Sequence, residues 1–213
     1  MALKGILACL CLVAAVFPCS HQDDVQTNNC SSHLLEELSD DLKMAAECNT
    51  MSRWTPQQRA TLLLYMRNLT EMLHTQHLRE CQGGEPVNCP QPEVPKNGGL
   101  VCTTVANRRF CKALCNHGYD FAFLRRSRVF DECSAATGYK WRSQYIGGNT
   151  LAVCNEATLQ VAGAKTAYFP KDEDCLTTKG QEKESDIVLQ FEEELKNHDG
   201  VDGAVESACL LCG

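Results

Sequence analysis

The residues CPQPEVPKNGGLVCTTVANRRFCKALCNHGYDF, 89–121, begin the stretch on which the fold turns. It continues through VFDEC at 129–133 and GYKW at 138–141, and closes at LAVC, 151–154. Six cysteines and one tryptophan fall within these 66 residues. A segment that short buries too little apolar surface to hold a fold securely, so disulfides are the expected support. Tyr119 and Phe121 alternate about Asp120, as one face of a strand would, and Trp141 is the natural plug between two bridges.

These residues resemble a sushi (complement-control-protein) module in the variant that carries extra cysteines. The resemblance rests on Cys89-Pro90, the turn at Pro95-Lys96-Asn97-Gly98, Cys115-Asn116-His117-Gly118-Tyr119, Cys133, Trp141 and Cys154. It implies a small, elongated β module used for binding and not for catalysis. It also implies the pairs Cys89–Cys133 and Cys115–Cys154, with Cys102 and Cys111 closing a local hairpin.

Outward from this core, residues 1–20 read as a secretory signal. Lys4 precedes an apolar run from Ile6 to Phe17, and Cys19-Ser20 stand before a polar stretch. That run is too short to span a bilayer comfortably, and no later stretch qualifies. The expected product is secreted and extracellular. Removing the signal takes Cys9, Cys11 and Cys19 with it and leaves twelve of the fifteen cysteines, an even number that reads as a disulfide framework. Asn29-Cys30-Ser31 and Asn68-Leu69-Thr70 are glycosylation sequons.

Residues 30–81 read as a helical hairpin. Leu35, Leu38, Leu42 and Ala45 form one stripe three or four residues apart. A second helix is capped by Thr55, Pro56 and Gln58 and runs through Leu62, Met66, Leu69 and Leu73. Both stripes are expected to be core, with Cys30 and Cys81 brought together as a disulfide. Residues 82–88 form a linker. The segment 155–213 carries one helix near 185–197, on Ile187, Phe191 and Leu195; it either returns to the helical pair at 30–81, the more economical arrangement, or follows the module as a third bead. The pairing of Cys48, Cys175, Cys209 and Cys212 stays open, because six flanking cysteines allow fifteen arrangements. The fold class expected is therefore α+β, a small disulfide-stapled β module flanked by the N-terminal hairpin and a C-terminal helix.

Charge is unevenly spread. The whole chain is at −7, but residues 89–154 hold nine Lys and Arg against four Asp and Glu. Arg125, Arg126 and Arg128 form a basic cluster of the kind that binds sulfated polyanions. The same cluster also suits an ordinary solvated loop, a partner for the acidic helices or a processing site. An acidic secreted chain is a poor nucleic-acid binder.

Chemistry-bearing motifs point away from catalysis. Cys209-x-x-Cys212 has redox spacing but opens no helix within a thioredoxin-like unit. Cys111, Cys115 and His117 fall short of four metal ligands, and His74 and His77 have no third ligand near them in sequence. No nucleophile elbow, His-Glu-x-x-His or phosphate loop occurs. The expected function is non-enzymatic binding of an extracellular protein or a sulfated glycan through the module, without a metal or cofactor. The alternative is a soluble signalling ligand that engages a receptor through its helices.

Overall fold

The structure, a computed structural model, describes residues 27–47, 50–84, 86, 88–143 and 148–213. The expected signal peptide and Cys48 lie outside the described residues, as do the side chains of Asn29 and Cys30. Contacts divide the chain into two units, one up to Leu64 and the other Tyr65–Gly213.

The first unit holds helix α1 (Thr27–Glu47), a 3₁₀ turn at Thr50–Arg53 and the start of helix α2 (Pro56–Arg79). The expected cap of α2 is in place. Gln58 Oε1 accepts from Thr55 N at 2.9 Å, and Thr55 Oγ1 accepts from Gln58 N at 3.2 Å. Two of the helix's orphan backbone donors are satisfied in this way.

In the second unit, β1 (Gly98–Val105) and β2 (Arg108–Cys115) form an antiparallel hairpin. Ala106 and Asn107 make its two-residue turn with φ of 49° and 55°, the primed geometry that matches strand twist. Short strands β3 (Tyr119–Phe121) and β5 (Cys154–Glu156) pair as a separate ribbon. Strand β4 (Asp131–Cys133) joins β2. Helices α3 (Cys175–Thr178) and α4 (Glu182–Lys196) follow, and β6 (Val205–Cys212) ends the chain. The larger sheet runs β4-β2-β1-β6.

Every residue of β1 is buried, because the strand is central and both faces are covered. On one face Val101, Val105, Phe110, Leu114 and Leu210 pack with Phe191 and Leu195 of α4. On the other, Leu100, Ala113 and Leu211 pack with Trp141, Leu151 and four disulfides. Approach is so close at Gly99 that a Cβ there would stand 2.6 Å from Cys175 Sγ and 2.7 Å from Leu211 O. The chain is thus α+β with five cysteine pairs at disulfide distance.

Two expectations are corrected here. The C-terminal segment is not a helix alone: β6 adds a strand beside β1, α4 covers the sheet, and Cys209 bonds to Cys81 after the end of α2. A two-sided apolar strand requires a cover on each face, and Ile187, Phe191 and Leu195 supply one. The apolar stripes of α1 and α2 are not core. Leu35, Leu38 and Leu42 are exposed by 68, 40 and 39%, and α2 has no buried residue. Periodicity establishes that a helix is two-faced; it does not say what lies against the apolar face.

Phe191 is wholly buried between the sheet and Phe130, with the two rings 6.1 Å apart and close to edge-on. Phe191→Ala should lose about 3–5 kcal/mol in non-reducing chemical denaturation, the usual cost of emptying a large aromatic site. A loss under about 1 kcal/mol would show that α4 is a loose cover, as for surface substitutions.

Candidate functional site

The cysteines are placed first, because they decide which sites can exist. Sulfur atoms meet in the pairs Cys89–Cys133, Cys102–Cys111 and Cys115–Cys154, the same pairs that the module resemblance implies. Cys102 and Cys111 stand directly opposite each other in the β1–β2 register. Cys81 bonds to Cys209 and not to Cys30. The physical reason is that β6 sets Cys209 in register with Cys102, at the edge of the sheet where the end of α2 arrives. Cys212 bonds to Cys175, so Cys209 and Cys212 belong to different bridges and form no redox pair. Cys111 and Cys115 are both consumed, and His117 stands 3.9 Å from Asp172 on the surface. No cluster of metal-binding side chains occurs among the described residues.

His77 proves to be a docking residue. Its Nε2 accepts from Cys212 N at 2.7 Å, which leaves Nδ1 to donate toward Glu80 Oε2 at 3.3 Å. Gln91 donates to Leu78 O at 3.0 Å, and Lys179 meets Glu80 at 3.3 Å. The C-terminal turn of α2 is thereby fixed to the sheet.

Upstream of that anchor α2 has no buried residue. Tyr65, Met66, Leu69, Met72 and Leu73 recur at three- and four-residue steps and are exposed by 39–67%. They form one continuous stripe of large apolar side chains. Asn68 of the second sequon is exposed and flanks this stripe, one turn from Tyr65 and from Met72.

The basic cluster is reorganised by burial. Arg125 is only 3% exposed: Nη2 donates to Asp131 Oδ2 at 2.8 Å, Nη1 donates to Leu151 O at 2.7 Å, and the guanidinium lies over Phe121. Arg125 is therefore a structural counter-ion and not a surface contact. Asp131 is fully buried at the start of β4. Burial pushes its carboxyl up from the ordinary value, while Arg125 and Arg128 pull against that. Arg128, partly exposed, reaches the other oxygen at 3.0 Å. Arg126 is exposed and donates to Val161 O at 2.9 Å. The sequence signal for this network is an acid set among apolar residues in Val129-Phe130-Asp131, three to six residues from three arginines.

Trp141 is buried, and its Nε1 donates to Pro90 O at 2.7 Å. Its neighbours Lys140 and Arg142 are both exposed. Arg142 N donates to Glu132 O at 3.2 Å, and Arg128 Nη2 donates to Arg142 O. Glu132 is mostly covered. Burial raises its carboxyl, but bonds from Arg108 at 2.9 Å and Ser134 at 2.8 Å hold it below the usual carboxylate range.

A shallow cleft of about 660 Å³ is lined by Arg126, Gln160, Lys165 and Tyr168, among others. Beneath it Asp120 accepts from Tyr168 Oη at 2.5 Å, Phe121 N at 2.8 Å, Val161 N at 2.8 Å and Ala162 N at 3.0 Å. A carboxylate already receiving four donors is a staple for the 160–163 loop and not a general base. Burial raises its pKa, but those donors lower it by more, so it sits below 3.8. Burial and the Asp120 carboxylate push the Tyr168 hydroxyl up to about 12.

With known proteins, comparison finds no matching family model, no matching curated protein and no matching solved structure. No helix among the described residues is long and apolar enough to cross a membrane.

Because the folded pKa of Asp120 is depressed, its contribution is complete above 3.8 and disappears as pH falls through the folded value. Asp120→Asn should be less stable than the wild type at neutral pH, and the gap should close in acid. Asp131 titrates in the opposite sense but is common to both proteins, so the difference isolates Asp120. Denaturation midpoints taken from pH 7 to about 3 test this; a constant gap would remove Asp120 from the acid response.

Proposed function

We propose that this chain is a secreted, non-enzymatic extracellular binding protein built on a sushi-like module, and that it engages a protein partner through helix α2. The observation that carries the reading is the stripe Tyr65–Met66–Leu69–Met72–Leu73, five large apolar side chains left in solvent on a helix whose end is fastened to the module. Contiguous exposed apolar surface is the usual mark of a protein-contact site. This favours the helices over the module as the receptor-facing element, the role of a soluble ligand.

Supporting the extracellular setting are the five disulfides, which persist in oxidising compartments. The N-terminal signal-like run and the exposed Asn68 sequon agree with it. The module's three internal pairs and the inward Trp141 support the sushi-like reading. Against catalysis stand the consumed thiols and the saturated Asp120 carboxylate.

Labelled protein should bind cultured cells saturably, and an excess of unlabelled protein should displace it. Met66→Glu with Leu73→Glu should keep secretion and melting temperature, since neither side chain is buried, yet weaken binding about tenfold or more, as loss of central apolar anchors does. Undiminished binding by the folded double variant would reject α2 as the contact.

A further inference from the structure

We propose that Arg128, Lys140 and Arg142 form a binding site for sulfated polysaccharide on the module, at a place displaced from the Arg125–Arg128 cluster. The inference rests on the reading of the chain as extracellular but is independent of α2. Its starting point is Trp141. That side chain is turned inward and tied to Pro90 O, while Lys140 and Arg142 on either side of it are both exposed. Arg128 is brought beside them by its bond to Arg142 O.

The charges here are sorted by depth. Asp131 is completely buried, and the Glu132 side chain is 18% exposed and bonded to Arg108 and Ser134. The cations are more exposed: Arg108 is 33% and Arg128 38% exposed, and Lys140 and Arg142 are exposed as well. Acids facing inward and cations facing outward leave a positive surface on a chain that is acidic overall. Arg108 donates to Gly200 O. Screening limits the reach of any surface charge to about 8 Å at physiological salt. Sulfates repeated along a polymer match a row of cations, and binding releases counter-ions as it does on other polyanions.

The test uses the full-length secreted protein on immobilised heparin. The wild type should be retained at low salt and elute as salt rises. Lys140→Gln with Arg142→Gln should elute earlier, with the slope of log affinity against log salt reduced by about two. Lys171→Gln, also exposed, should leave elution unchanged. Desulfated heparin should retain neither protein. A second measurement needs no variant: heparin should protect Lys140 of the wild type from acetylation but not Lys171. Absent retention of the wild type, unchanged elution of the folded double variant, equal retention on desulfated heparin or equal acetylation of the two lysines would each overturn the proposal. Cell binding lost in the α2 variant but kept after heparinase would show that only the glycan site had failed.

Discussion

Strand β1 is the constraint on which the rest of this structure depends. It gives its backbone bonds to β2 on one side and β6 on the other, and its side chains alternate into two separate apolar layers. A strand buried on both faces cannot be held by a 66-residue module alone. One layer is closed with sulfur: Cys102–Cys111 lies within it, and Cys81–Cys209, Cys89–Cys133 and Cys115–Cys154 tie its margins. The other is closed with aromatic and aliphatic carbon from α4. The C-terminal third of the chain is therefore an integral part of the sheet's core.

Charge enters the interior only where it is matched. Lys112, on the α4 face of β2, is 1% exposed and reaches both Glu194 oxygens at 2.7 and 2.8 Å. Burial pulls its ammonium below the ordinary value and Glu194 pulls it back. On the disulfide face Arg109 donates to Thr104, Ser207 and the Cys209 sulfur. Arg125 and Asp131 form the third case. Removing one partner of such a pair leaves an unmatched buried charge, which costs more than the pair contributes. These ties fix register: Lys112 joins β2 to α4, Arg109 joins β2 to β6, and Arg125 joins the loop after β3 to β4.

Much of this was legible in the sequence, and the limits have physical causes. Helical periodicity and the Thr55 cap act locally, so the start of α2 and the helix near 185–197 could be read directly, while the β1–β2 hairpin closed by Cys102 and Cys111 came only with the module resemblance. The inward Trp141 followed from its place between cysteines. Strand β6 escaped because Val205–Cys212 is exposed in its first half and buried only at its end, so no clean alternation marks it. The fate of Arg125 depended on Asp131, six residues away and meaningful only once β4 is buried. Arg126 and Arg128, adjacent in sequence to a buried ion, kept their exposure, so three neighbouring arginines serve three different purposes. The Cys81–Cys209 bridge spans 128 residues, a distance over which spacing carries no information.

Helix α2 brings these threads together. Most helical stability in proteins comes from packing one amphipathic face rather than from propensity. Here the face is not buried. The helix is instead held at its end, by His77 on Cys212, Gln91 on Leu78, Lys179 on Glu80 and the Cys81 bridge. End anchorage keeps the C-terminal turn in place without consuming the stripe from Tyr65 to Leu73. The Cys81–Cys209 bridge, together with those hydrogen bonds, thus holds the end of α2 without requiring its apolar face to pack.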